Sequence, residues 1–213
     1  MSDNLLRFKN NQKYLIFDFE TCSLNLGSPE NKPWQLSFLI VEGRKIKESF
    51  NYLIGWEDLN ISDDARRITN FNESFYRKNA ADPNKVLSQF EKYLYDESYM
   101  PVGHNILGFD LYIHGIFRKL LKKKADYSYL NRCIDTLSLA KAIKKNIKRD
   151  SKTDFISWQY KLNSFFEKRM GCSIQALCKK YEIEFDANKL HDAMYDIELN
   201  LKIFNKQLWE LDV

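Results

Sequence analysis

Four carboxylates and one imidazole occupy positions from which a folded chain could bring them to one place. Tyr14-Leu15-Ile16-Phe17 runs apolar into Asp18-Phe19-Glu20-Thr21, the pattern of a buried strand that ends in two acids. Side chains alternate along a strand, so Asp18 and Glu20 share one face while Phe17 and Phe19 take the other. Two anions held together in a low-dielectric setting repel until one takes a proton, and a divalent cation removes the conflict. A solvated strand end with basic partners would accommodate the same pair. Asp110 follows Met100-Pro101-Val102-Gly103-His104-Asn105-Ile106-Leu107-Gly108-Phe109, which reads as a short strand and a glycine-containing turn leading into a helix. At a helix N-terminus a carboxylate is favoured by the macrodipole and by capping alone. His191 and Asp196 are five residues apart. On one helix that spacing puts them ~140° apart, so His191 is placed on the loop before the last helix, from which both can face one site.

The elements that must position these groups follow from periodicity. Trp34 to Val41 and Lys45 to Ile54, joined by Glu42-Gly43-Arg44, read as a hairpin beside the first strand. Residues 57–80 are polar and irregular, with one short helix at Asp63–Ile68. Asp82-Pro83 supplies an N-cap and an N1 proline for a helix packed through Val86, Leu87, Phe90, Tyr93 and Leu94 and ending near Asp96. The helix opened by Asp110 carries Leu111, Ile113, Ile116, Phe117, Leu120 and Leu121 and closes on Lys122-Lys123-Lys124. Arg132 to Asp135 reads as a short strand, with Asp135 as a cap and Thr136 opening a helix. The segment 144–170 has a basic lead, then Phe155, Trp158, Leu162, Phe165 and Phe166 at helical spacing, with Gly171 as its C′ residue. Such a stripe suits a packed core, and its mixture of bases and rings also suits single-stranded nucleic acid. Ser173 is placed to cap a further helix, and Ile197, Leu201, Phe204, Leu208 and Leu211 pack the last one.

A chain of 213 residues with a net charge of +4 and 15% aromatic residues fits one α/β domain, with a basic and aromatic insertion at 144–172, and excludes the disordered and fibrous classes. Lysines and arginines crowd into 118–124 and 141–152, a surface that can attract a polyanion. Cysteines 22, 133, 172 and 178 form no CxxC pair, so reduced thiols are expected rather than a zinc knuckle or redox motif. No apolar run approaches the ~20 residues of a membrane span and no secretory segment opens the chain, so a cytoplasmic protein without membrane association is expected.

In this order, Asp18-Phe19-Glu20-Thr21, Gly103-His104-Asn105 through Phe109-Asp110, Ile134-Asp135-Thr136-Leu137 and His191-x4-Asp196 resemble the DEDDh branch of the DnaQ-like 3′→5′ exonucleases, and the match covers nearly the whole chain. Ser23 stands where that branch usually has glycine. Three residues, rather than the commoner two, separate Asn105 from Phe109, a spacing closer to proofreading polymerases. The resemblance implies a three-layer RNase H-like α/β fold with a mixed five-stranded sheet flanked by helices. It implies two Mg2+ or Mn2+ ions held by Asp18, Glu20, Asp110 and Asp196, and His191 as the base that takes a proton from the attacking water. By the same resemblance Thr21, Leu24, His104, Asn105 and Phe109 would bind the substrate.

The activity so implied is two-metal hydrolysis of phosphodiester bonds from the 3′ end of single-stranded nucleic acid, releasing 5′-mononucleotides, with DNA placed slightly ahead of RNA. A polymerase-associated proofreading subunit, an RNA-trimming 3′ exoribonuclease and a non-catalytic binding module of the same fold are the alternatives. With residues 197–213 following Asp196, the proofreading subunit is the less expected alternative, and the sequence leaves open whether a polymerase or a second copy binds.

Overall fold

The computed structural model describes residues 5–28, 31–168 and 170–213. Pro29 in the loop after the first strand and Arg169 in the 144–170 segment lie outside the described residues. Strand β1 (Lys13–Thr21) is central: it pairs antiparallel with β2 (Pro33–Glu42) and parallel with β4 (Tyr99–Gly103), while β3 (Lys45–Leu53) and the two-residue β5 (Ile134–Asp135) form the edges. The order β3-β2-β1-β4-β5 is a mixed five-stranded sheet.

Helices cover both faces, and the alternation of β1 decides what each face buries. Leu15, Phe17 and Phe19 enter a core with α3 (Pro83–Leu94) and α4 (Asp110–Leu120), where Phe90 lies 5.1 Å from Phe17 and 5.8 Å from Phe19 between ring centres. Tyr14 and Ile16 enter the opposite core with α5 (Thr136–Lys145), α6 (Phe155–Ser164) and α8 (Ala193–Glu210). Asp18 and Glu20 therefore share the α8 face, as the period of two requires. Both cores are made of branched and aromatic side chains, each worth roughly 1.5–3 kcal/mol on burial, so the register of β1 is firmly held.

Helix starts follow the capping chemistry. Asp82 accepts the Lys85 N–H at 2.9 Å, Asp135 that of Ser138 at 3.0 Å, and Ser173 that of Ala176 at 3.3 Å at the start of α7 (Ile174–Lys180). The region 57–80 is more regular than its polarity predicts. Besides α1 (Asp63–Ile68) it holds α2 (Glu73–Asn79), whose N-cap Asn72 accepts the Phe75 N–H and which packs through Tyr76 alone. The helix expected to run through Phe166 stops at Ser164, which leaves Phe165 half exposed and Phe166 87% exposed. Lys141 explains the stop: its ammonium donates to the carbonyls of Asn163 at 2.6 Å and Phe165 at 2.9 Å, capping the helix from outside. Gly171 does have a positive φ, but it lies beyond this helix rather than at its C′ position. All four cysteines are buried free thiols, and among the described residues no helix is long and apolar enough to cross a membrane.

Candidate active site

The carboxylates meet at the C-terminal end of β1. Asp18 and Glu20 sit there half buried. Asp110, the first residue of α4 and only 2% exposed, reaches across to accept the Phe19 N–H at 3.1 Å. The register of β1 against β2 shifts between Glu20 and Thr21, which ends regular pairing just past the second acid.

The fourth acid comes from α8. Asp192 caps that helix by accepting the Tyr195 N–H at 3.0 Å, and Asp196 follows in the first turn. His191 takes a left-handed φ of +68°, turning its N–H back to donate to Asp196 Oδ2 at 3.1 Å and leaving its side chain exposed on the loop. The other oxygen, Asp196 Oδ1, is buried with no hydrogen-bond partner.

A cleft of about 430 Å3 is lined by Asp18, Glu20, Leu24, His104, Asn105, Phe109, Asp110, His191 and Asp196, together with Phe19, Ser173, Ile174, Gln175 and Leu190. Every expected site residue except Thr21 lines it. Thr21 is buried and gives its hydroxyl to the Ser23 carbonyl at 2.6 Å, shaping the loop that carries Leu24. The sequence reading missed Gln175 and Leu190, and Ser173 carried only a capping signal. Ser173 and Gln175 arrive because α7 packs against α8, a contact that no local spacing announces, and Leu190 arrives with the loop that carries His191.

The electrostatics of the cleft are those of crowded acids. Burial, then the charges of Asp110, Glu20 and Asp196, hold the Asp18 carboxyl well above the ordinary range, and burial with Asp196 and Asp110 does the same to Glu20. Burial pushes Asp110 up to about 7 against the opposing Phe19 N–H, and Asp196 up to about 6 against the His191 N–H. Among the described residues, no lysine or arginine lines this cleft. Hard oxygen donors, an unpartnered buried Asp196 Oδ1 and the missing counter-charge fit a site for divalent cations. Among the described residues, no three His, Cys, Asp or Glu side chains already stand at the spacing of a formed metal centre.

The residues around the acids are themselves held. His104 is fixed by Nδ1 against Thr136 Oγ1 at 3.0 Å and by the backbone of Cys172, and burial lowers its pKa to about 4, so it is a neutral wall of the cleft. Asn105, at φ +66°, has its N–H on Asp135 Oδ1 at 3.3 Å and its Oδ1 on Asn163 Nδ2 at 3.0 Å. Asp135 also accepts from the Leu107 N–H at 3.1 Å and Asn163 Nδ2 at 3.0 Å. Thus α6, at the centre of the 144–172 segment, braces the loop from Gly103 to Phe109. Gly103 is needed there because a Cβ would strike Ile106 and approach the Phe17 carbonyl.

A family model described as an exonuclease, of the RNase T type, matches residues 15–204. The chain is 27% identical over 195 residues to a DNA polymerase III of the PolC type from Ureaplasma parvum serovar 3, covering 92% of this chain and 11% of that protein. Among solved structures, E. coli exonuclease I in a zinc-bound complex with single-stranded DNA aligns at TM-score 0.71 and 15% identity, over 91% of this chain and 40% of that one. The same enzyme with a dA16 oligonucleotide aligns at 0.68 and 15%, with the same coverage. At these identities the likeness to the solved structures establishes a shared RNase H-like fold, and the chain spans 11% of the PolC-type polymerase and 40% of the two exonuclease I chains.

Proposed function

The chain belongs to the RNase T exonuclease family, and from that premise we propose that it is a metal-dependent 3′→5′ exonuclease acting on single-stranded ends. The observation that carries this reading is one cleft that gathers Asp18, Glu20, Asp110 and Asp196, where burial raises all four carboxyls, the charges of Asp110 and Asp196 raise Asp18 and Glu20 further, and among the described residues no lysine or arginine lines the walls. Held by these four residues, two Mg2+ or Mn2+ ions would supply the positive charge that stabilises the entering and leaving oxygens of an in-line phosphoryl displacement.

The protein's own groups divide the remaining work. His191, exposed at the rim, takes a proton from the attacking water and can pass it to solvent. The water oxygen bonds to phosphorus as the bond to the 3′ oxygen of the preceding nucleotide breaks; that oxygen takes up a proton, and a 5′-mononucleotide leaves. Leu24, 84% exposed on the cleft wall, is placed to wedge against the terminal base, with Phe109 supplying a further apolar wall. Asn105 has its Oδ1 occupied by Asn163, which leaves its Nδ2 to donate to the terminal nucleotide.

DNA is placed ahead of RNA because the exonuclease I structures of this fold are described with single-stranded DNA and, among the described residues, no group lining the cleft singles out a 2′-hydroxyl. Likeness to a PolC-type polymerase over 92% of the chain favours a second reading, a proofreading activity that works beside a polymerase. Incubation with 5′-labelled single-stranded DNA, RNA or duplex tests the proposal. A ladder shortened from the 3′ end with Mg2+ or Mn2+, absent in EDTA, is the expected result, and binding without shortening would replace the enzyme with a silent binding module.

A further inference from the structure

The N-terminal end of β1 is the electrostatic opposite of its C-terminal end. There a cavity of about 550 Å3 opens between residues 6–13 and the β2–β3 hairpin, with Arg7, Lys9, Lys13, Arg44, Lys45 and Lys47 on its walls against one acid, Glu42. Lys47 engages Glu42 at 3.4 Å and Asp212 engages Arg7 at 2.7 Å. Among the described residues this leaves Lys9, Lys13, Arg44 and Lys45 with no carboxylate at ion-pair distance. The walls are fastened together: Gly43, at φ +60°, donates its N–H to the Gln12 carbonyl at 2.8 Å, and a Cβ there would run into the Asn10 carbonyl.

Beside the cavity lies an aromatic rim. Phe8 and Trp209 meet edge to face at 6.2 Å and are 47% and 58% exposed, with the Arg7 guanidinium 5.2 Å from the first ring and that of Arg44 5.5 Å from the second. Cations confined to one cavity repel one another, and a chain of phosphates relieves that repulsion. Exposed rings next to such a cavity offer bases a stacking surface, which an acidic peptide would not use in the same way.

We propose that this cavity and its Phe8–Trp209 rim form a second site for single-stranded nucleic acid, gripping the strand upstream of a 3′ end seated in the carboxylate cleft. The placement of the 3′ end rests on the nuclease reading above; the grip itself does not. Lys13 and the Asp18–Glu20 pair bracket five to seven residues of β1, so the two sites are on the order of 20 Å apart, and only strands of several nucleotides can occupy both.

The test is anisotropy of fluorescein-labelled oligothymidylates of about 4 and about 16 nucleotides, read in EDTA so that no strand is consumed. The expected result is that the longer strand binds wild type at least about 10-fold more tightly than the shorter. A Lys9→Glu/Lys45→Glu variant should lose that advantage, and its slope of log affinity against log salt should fall by roughly 1.4, about 0.7 for each lost phosphate contact on a single strand. Trp209→Ala should weaken the longer strand alone, and both variants should cut the short strand at the wild-type rate with Mg2+. An unchanged length dependence in both variants overturns the proposal, as does binding of a polyglutamate peptide to wild type without any preference for long strands. Loss of the length dependence in a protein that shortens no strand would uphold this site while removing the nuclease reading.

Discussion

The Phe19 N–H, set between the side chains of Asp18 and Glu20, donates to Asp110 Oδ1 at 3.1 Å. One hydrogen bond thus ties the first turn of α4 to the end of β1 and fixes the third acid relative to the first two. A charge-assisted bond to a buried carboxylate is worth about 1.5–3 kcal/mol. It holds Asp110 in place on the cleft wall.

Stability in the absence of metal should fall as pH rises. Asp110 at about 7 and Asp196 at about 6, with Asp18 and Glu20 also raised, hold protons in the folded state that the unfolded chain releases near pH 4. The folded form therefore binds more protons between about pH 4 and 7, and stability declines across that window. In EDTA, thermal unfolding should give a higher Tm at pH 5 than at pH 8. Mg2+ should raise Tm by several degrees at pH 8 and by less at pH 5, where protons compete for the same oxygens. Equal Mg2+ shifts at the two pH values would contradict the assignment.

Asp135 should matter more for folding than a simple cap. Its side chain receives the N–H groups of Asn105, Leu107 and Ser138 and the amide of Asn163. Asp135→Ala strands several buried donors, each costing about 1–3 kcal/mol, so chemical denaturation should show a loss of at least about 3 kcal/mol. A loss below about 1 kcal/mol, typical of an exposed cap, would show that the network is dispensable.

How far the sequence was legible depended on the range of the interaction. Asp18 and Glu20 could be put on one face because the period of a strand is local, and His191 could be put on a loop because five residues do not return to one face of a helix. The capping role of Asp135 was visible, whereas its bonds to Asn105 and Leu107, and the Asn163 brace, join residues 28–58 apart in the chain. Phe165 and Phe166 misled for the same reason: their spacing continues that of Trp158 and Leu162, but Lys141 on another helix ends α6 before them. Helix α2 escaped because it buries only Tyr76 and leaves Phe75 61% exposed, so no apolar stripe of helical period marks it.

His191→Ala should separate binding from turnover. The backbone N–H of residue 191, not the imidazole, holds Asp196 Oδ2, so truncation leaves that contact in place. Turnover of a single-stranded oligonucleotide should fall by about 10²-fold or more, as for a lost general base. The Mg2+-dependent rise in Tm should persist. Unchanged turnover would remove His191 from the chemistry.

The most direct measurement of the whole account is the number of divalent ions held by the cleft, read by Mn2+ titration with calorimetry or electron paramagnetic resonance at pH 8. Two ions per chain are expected for wild type, with at least one lost in Asp18→Asn while the protein remains folded. Absence of Mn2+ binding in wild type, or an unchanged stoichiometry in folded Asp18→Asn, would show that Asp18, Glu20, Asp110 and Asp196 do not act together as a metal site.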